Sequence, residues 1–335
     1  MMKRVVVVST GGTIASLPGP EGRNIAGALS GQALLGGVPE AADIRVEVRS
    51  LFQKASNALT LDDLQQLRAQ CQSLIDSGDV DGIVVTHGTD TLEDTAYFLE
   101  SSLRTRNVVV AVTGSQRVPH APGTDAYLNL RHALRVAASA DCVGLGVLVV
   151  FNETIHAAAF VRKTSSFQLN GFESPGFGCL GFIDDDAVLI YQQPRRQPLL
   201  QPPPGHLPAV ELLSACLGAG PQALRALVDA GVSGIVLEGT GRGQVPPDWV
   251  PEIQRAVDAG CRVLVCSSSL TGPVLPCYEY SGSLHDLQAA GALGVSGLSG
   301  RKVRLRLMLA LACLGQACDR DALRRLFSWG SDRSV

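Results

Sequence analysis

Hydrophobic positions along the chain come in two textures. Short unbroken runs rich in valine and isoleucine occur at residues 3–8, 82–87, 107–112 and 145–151. Runs of this length and character fit strands buried on both faces of a parallel sheet. Between them, apolar residues recur every three or four positions. In LDDLQQLRAQCQSLIDS (61–77), Leu64, Leu67, Cys71, Leu74 and Ile75 form one stripe, as in a helix with one buried face. Residues 92–103 and 125–140 read as helices in the same way. Strands alternating with helices predict βαβ units and a doubly wound, mostly parallel sheet.

LGFIDDDAVLIYQ (180–192) reads as a hairpin turning on its three aspartates. The segment 192–208 that follows carries six prolines, which preclude a helix or a central strand and mark a linker. Beyond it the alternation resumes on a smaller scale: helix 221–230, strand GIVLEG, helix 247–259, strand CRVLVCSS and a closing helix at 301–314. The expected fold class is α/β, with a larger N-terminal doubly wound domain (1–191), a Pro-rich linker (192–208) and a smaller C-terminal α/β domain (209–335). The basic run RKVRLR (301–306) alternates charge with aliphatics and is expected to lie on a solvated helix face.

Composition changes this picture little. The 335 residues are 46% hydrophobic and 18% charged, with a formal net charge of −3. Nothing electrostatic points to nucleic acid or an anionic membrane surface, and no apolar run approaches the roughly 20 residues of a membrane helix. MMKR passes into an apolar run too short for a signal-peptide core, with no small-residue cleavage site after it, so a cytoplasmic location is expected. Nine cysteines without a Cys-x-x-Cys pair read as buried small hydrophobes in a reducing compartment. The six histidines show no metal-ligand spacing, so a zinc site is not expected.

Chemistry concentrates at two strand ends, where open α/β sheets bind ligands. VVVVSTGGTIAS (5–16) leaves its strand through Gly11 and Gly12, flanked by Thr10 and Thr13. The glycines allow a sharp turn with exposed N–H groups, although a glycine pair after a strand more often makes only a turn. The loop lacks the third glycine of a dinucleotide fingerprint and the Gly-Lys-Ser/Thr of a P-loop. VVTHGTDTLEDTAYFLE (84–100) places Thr89, Asp90 and Thr91 where a strand gives way to a helix. Asp90 or Thr91 would make a good N-cap, and Thr91 with Asp94 resembles a capping box. Capping needs only one of these side chains, which leaves Thr89 spare beside a carboxylate that the helix N-terminus helps keep ionised. A threonine hydroxyl attacks only when a base takes its proton. A neutral lysine is an economical base, although a neighbouring carboxylate favours the charged form. VRKTSS supplies Lys163, with Arg162 beside it as the alternative inward residue.

These segments resemble the two signature segments of the bacterial-type L-asparaginase/glutaminase family. The resemblance continues through VTGSQR (112–117), GVLVVFNETI, RKTSSF and VDAGVSGIVLEGTGRG (228–243), and it is loosest over the last 65 residues. It implies hydrolysis of the side-chain amide of L-asparagine to aspartate and ammonia, without cofactor or metal. Carried over by position, Thr13 would be the nucleophile, forming an acyl ester, and Thr89, Lys163 and Asp90 a proton relay. Asp90 would also receive the substrate amino group, Ser56 its α-carboxylate, and Gly12, Gly88, Thr89 and Ser115 would complete the pocket. An amide N–H beside Thr89 would serve as an oxyanion donor, a kind of contribution worth about 3 kcal/mol in other hydrolases. The resemblance also implies a homo-oligomer, dimer or tetramer, with sites at subunit interfaces.

Three departures from the family pattern stand out. A tyrosine expected in the loop after the first strand is missing from residues 14–51, where Asn24 or Ile25 aligns with it. Tyr278 and Tyr280 are candidate replacements, with ordinary packing as the alternative. A neighbouring-subunit asparagine is replaced by Gln244 or Arg242, and the matching acid falls at Glu279. Substrate choice stays open at this point between asparagine and glutamine, since one methylene discriminates by only about 1–3 kcal/mol. So do a weakly active asparagine-binding sensor and the question of which threonine attacks first.

Overall fold

The valine runs become the centre of a single sheet. In the computed structural model, which describes residues 2–329 apart from 20 and 40, the chain divides into two compact units, 1–196 and 197–335. The first unit opens with β1 (Lys3–Gly11), a small ladder of β2 (Leu17–Pro18) and β3 (Asn24–Ile25), helix α1 (Gly31–Leu35) and β4 (Ile44–Lys54). It continues through α2 (Leu61–Ser77), β5 (Gly82–Thr86), α3 (Leu92–Ser102), β6 (Val109–Thr113), α4 (Ala126–Ala138) and β7 (Val147–Phe151). Then come β8 (Thr154–Ala157), β9 (Arg162–Lys163), β10 (Phe172–Glu173) and the hairpin β11 (Gly181–Asp184) and β12 (Ala187–Ile190).

Eight of these strands form one sheet in the order β12-β11-β8-β7-β6-β5-β1-β4. The five from β7 to β4 run parallel, whereas β8, β11 and β12 add antiparallel pairs at one edge. Every residue of β5, β6 and β7 is buried, which is why those strands read as continuous apolar runs. The chain passes from β1 to β4 on one side of the sheet and resumes with β5 on the other side of β1. The order therefore reverses between β1 and β5, and the crevice beyond their carboxyl ends is the place such a sheet offers a ligand.

Strand β4 is the element the apolar runs did not announce. IRVEVR alternates apolar and charged residues because β4 is an edge strand, half-exposed or exposed at all but its first position. Glu47 accepts from Arg4 and Arg49, both at 2.9 Å, and such charged side chains discourage pairing with a stray strand. Helix α2 starts on a reciprocal capping box between Thr60 and Asp63 and stops at Gly78 in the left-handed conformation.

The second unit holds β13 (Val210–Ser214), α5 (Gln222–Asp229), β14 (Gly234–Gly239), α6 (Val250–Asp258) and β15 (Arg262–Ser267). It closes with α7 (Leu284–Ala289), β16 (Leu293–Gly294), α8 (Gly300–Leu314) and α9 (Arg320–Phe327). Its four strands pair in parallel and in sequential order.

RKVRLR does not form a solvated face. Lys302 and Arg306 are each only 1% exposed. Arg306 donates to the Leu326 carbonyl through Nε (3.0 Å) and Nη2 (2.8 Å), and to the Pro198 carbonyl at 2.7 Å. Leu326 lies in the last turn of α9, where carbonyls have no helical donor, and a guanidinium supplies several donors at once. Arg306→Met is therefore expected to destabilise the protein by about 3 kcal/mol, because buried acceptors lose their partner. Urea unfolding measures this. The cysteine expectation holds for Cys71, Cys142, Cys261, Cys266 and Cys318, whereas Cys216 and Cys277 are exposed. Burial pushes the Cys71 thiol up to about 12. Among the described residues no helix is long and apolar enough to cross a membrane.

Candidate active site

Strand β1 ends in two glycines with positive φ, +103° at Gly11 and +85° at Gly12. The Gly12 amide donates to the Lys54 carbonyl at 3.0 Å, tying the turn to the end of β4. Thr13 then opens a 3₁₀ turn (Thr13–Ala15), whose Ile14 and Ala15 are buried. The Ser16 hydroxyl donates back to the Gly12 carbonyl at 3.0 Å. A Cβ on Gly12 would lie 2.3 Å from both the nitrogen and the Cα of Gly88, and one on Gly88 would lie 2.8 Å from Ser56 Oγ. Three segments thus meet: the turns after β1 and β5 touch backbone to backbone, and the Ser56 side chain of the turn after β4 packs against Gly88. Thr13 and Thr89 are each one residue beyond that contact.

Lys163 arrives from a fourth segment, the short β9–β10 ladder, in which it pairs with Phe172. Its Nζ lies 2.8 Å from Thr89 Oγ1 and 2.7 Å from Asp90 Oδ1. Of the two basic neighbours Lys163 is the one that reaches Thr89, while Arg162 stands opposite Glu173. Thr89 is buried, and the Lys163 and Asp90 side chains are 15% and 70% exposed. An ion pair this open adds little stability. Its consequence is geometric, because it holds an amine against a buried hydroxyl at the mouth of the crevice.

The capping expectation for Thr91 fails. Thr91 occupies the N-cap position of α3, but its φ of −126° and ψ of 18° depart from the extended backbone of a capping residue, and its side chain makes no cap. Instead its hydroxyl donates to the Ser56 carbonyl at 2.8 Å, fastening the helix start to the Ser56 turn. Thr10 is also structural: its buried hydroxyl donates to the Thr86 carbonyl at 2.9 Å, bridging β1 and β5.

Ser115 is buried and donates to the Arg117 carbonyl at 2.7 Å. Its neighbour Gly114 passes close to Thr89, since a Cβ there would lie 3.5 Å from Thr89 Cγ2. The loop is held by residues that composition and spacing gave no reason to single out. Asp125 accepts from the Gln116 and Arg117 amides, both at 2.9 Å, and Asn129 donates to the Gly114 carbonyl at 3.0 Å. Gln116 Nε2 reaches the Ser165 carbonyl, two residues beyond Lys163, at 3.2 Å.

His87, whose residue type carries no signal of its own in the sequence, is fully buried beside the Thr89 turn. Burial holds its pKa down to about 4, against the usual 6.5. The unfolded chain takes this proton near 6.5 and the folded chain only near 4, so the unfolded state binds more protons in between. The contribution is fully present above pH 6.5 and lost as pH falls toward 4, about 3 kcal/mol in all. Burial lowers His132 in the same direction. Urea unfolding across this window is expected to show the decline, and His87→Asn to flatten it.

Gln244, Tyr278 and Glu279 belong to loops of the second unit. Gln244 forms a bridge with Thr240. Arg242 Nη1 lies 3.6 Å from Cys277 Sγ, which ties the loops after β14 and β15 together. Tyr278 and Tyr280 are about half exposed with ring centroids 5.7 Å apart, and Glu279 is exposed. In the first unit, Asn24 and Ile25 pair with Pro18 and Leu17, and Ile25 is half exposed. Among the described residues no cluster of His, Cys, Asp or Glu is arranged to hold a metal ion.

The family models described as "Asparaginase, N-terminal" and "Glutaminase/Asparaginase C-terminal domain" match residues 4–196 and 209–327. The chain belongs to the asparaginase family. It is 43% identical over 316 residues to an L-asparaginase of Bacillus licheniformis, covering 93% of this chain and 96% of the relative. A glutaminase-asparaginase of Pseudomonas fluorescens biotype A is 34% identical over 340 residues, covering 97% and 90%. Among solved structures, a probable cytoplasmic L-asparaginase from Campylobacter jejuni superposes with a TM-score of 0.84 at 28% identity, covering 97% of this chain and 99% of that one. The asparaginase fold of a larger and a smaller α/β domain is therefore the fold of this chain.

Proposed function

We propose that this protein hydrolyses the side-chain amide of L-asparagine to L-aspartate and ammonia through an acyl-threonine intermediate. The observation that carries this reading is Lys163 Nζ at 2.8 Å from Thr89 Oγ1 and 2.7 Å from Asp90 Oδ1, beside the turn that bears Thr13. Thr13 Oγ attacks the amide carbon, and its proton passes into the Thr89–Lys163–Asp90 relay. The relay returns a proton to the leaving nitrogen, and ammonia departs. Water then attacks the ester carbon, gives up a proton through the same groups, and releases aspartate with Thr13 restored. The exposed Asp90 carboxylate receives the substrate's α-amino group and Ser56 its α-carboxylate, while Gly12, Gly88 and Ser115 line the pocket.

The named activity of the Bacillus relative supports asparagine as substrate. The Pseudomonas relative supports a second reading, a glutaminase-asparaginase of broader specificity. Ammonia release from each amide under the same conditions ranks the two. Binding of asparagine without ammonia release would instead establish a sensor. We further propose a cytoplasmic homo-oligomer, dimer or tetramer, in which Gln244, Tyr278 and Glu279 complete the site of a neighbouring subunit. Residues 192–208 serve as the linker between domains, a reading supported over 197–208 by the gap between the two family matches. Glu279→Ala is expected to raise KM with little change in kcat, since it would touch only the substrate's amino group.

A further inference from the structure

We propose, resting on the hydrolytic reading above, that His87 is a positioning residue: its imidazole fixes the Gly88–Thr89 peptide so that the Thr89 amide N–H faces the substrate's carbonyl oxygen. His87 is 0% exposed and sits between the end of β5 and helix α3. Its Nδ1 lies 2.8 Å from the Gly88 carbonyl oxygen, and its Nε2 lies 2.9 Å from Thr95 Oγ1. A carbonyl only accepts, so Nδ1 carries the hydrogen and Nε2 takes the Thr95 hydroxyl. Both ring nitrogens are engaged, and the tautomer is fixed.

The peptide joining Gly88 to Thr89 is trans and planar. In such a unit the C=O and the N–H point in opposite directions. The buried ring draws the Gly88 oxygen inward, which turns the Thr89 N–H away from the ring. This amide belongs to the residue whose hydroxyl meets Lys163. Glycine imposes little steric preference on its own peptide, so an untethered Gly88 carbonyl could flip and take the amide with it. The imidazole hydrogen bond selects one orientation. As Thr13 attacks, the amide oxygen becomes an oxyanion, and a donor already aimed at it acts without reorganisation.

Three variants test this, with kcat and KM read on the folded protein and stability read by urea unfolding. Asparagine places a side-chain N–H close to the position of Nδ1, whereas glutamine reaches toward Nε2 and leaves the Gly88 carbonyl untethered. His87→Gln is expected to lower kcat about a hundredfold with KM nearly unchanged. His87→Asn should recover kcat to within about tenfold of the parent, although both lose stability through the same vacated ring. Thr95→Val should lose stability while kcat is retained, because Nδ1 still holds the carbonyl. Equal kcat losses in His87→Gln and His87→Asn, or a loss carried by KM, would overturn the positioning role. If the parent protein releases no ammonia from either amide, the hydrolytic reading falls and this role with it. If the parent is active and His87→Gln is equally fast, the positioning role alone falls.

Discussion

Thr13→Ala is expected to lower the rate of ammonia release from asparagine by four orders of magnitude or more. No other group in the proposed mechanism can carry the acyl intermediate, and removing a nucleophile from a hydrolytic relay costs on that scale. The fold should survive. The 3₁₀ turn is closed by the Ser16 amide and the Thr13 carbonyl at 3.1 Å, which alanine keeps, and Ile14 and Ala15 stay buried. Unfolding free energy is therefore expected to stay within about 1 kcal/mol of the parent. Thr89→Val removes the hydroxyl that lies 2.8 Å from Lys163 Nζ, the proposed link from Thr13 into the relay, and should approach the same loss. Because these groups act as a unit, the double variant should be hardly slower than either single one.

Gly12→Ala is expected to damage stability and turnover together. With φ +85° and ψ −169°, Gly12 occupies a backbone region that is essentially glycine's alone, at about 1–3 kcal/mol for another residue. The added Cβ would also overlap the nitrogen and Cα of Gly88 at 2.3 Å. Backbone cannot rotate aside as a side chain can, so relief requires the β1 and β5 turns to part. Together these effects should destabilise the protein by about 3–5 kcal/mol. Parting the turns by even 1 Å should slow the remaining folded enzyme about a hundredfold. Gly78→Ala is the control. Gly78 also has a positive φ, but open space surrounds its Cβ position, so only a backbone cost of about 1 kcal/mol and no change in kcat are expected. Urea unfolding and ammonia release check both variants.

The elements most legible in the sequence were those whose burial is uniform. β5, β6 and β7 are buried at every position, and α2 has one clean stripe, so periodicity alone finds them. Edge strand β4 carries no apolar run because its charged side chains alternate with the apolar ones, and only the period of two in IRVEVR marks it as a strand. RKVRLR is the opposite case. Charge suggests solvent, whereas the distant carbonyls of Leu326 and Pro198 and the Phe327 ring, 5.7 Å from the guanidinium, receive Arg306 in the interior. In the site, Thr13, Thr89, Asp90 and Lys163 stood out by residue type at strand ends, and by the family resemblance. The supporting groups did not. Asp125 and Asn129 hold backbone amides and a carbonyl 8 to 15 residues away, and His87 holds the carbonyl of the next residue; neither kind of contact leaves a pattern of residue types.

The proposed mechanism requires Thr13 to carry the substrate's acyl group. Acid-quenching the protein during turnover of asparagine, followed by peptide mapping with mass spectrometry, tests it directly. The aspartyl adduct is expected on the peptide containing Thr13, and no adduct is expected in Thr13→Ala. An adduct on Thr89 or Thr10, or a Thr13→Ala variant that turns over at a near-parental rate, would contradict it.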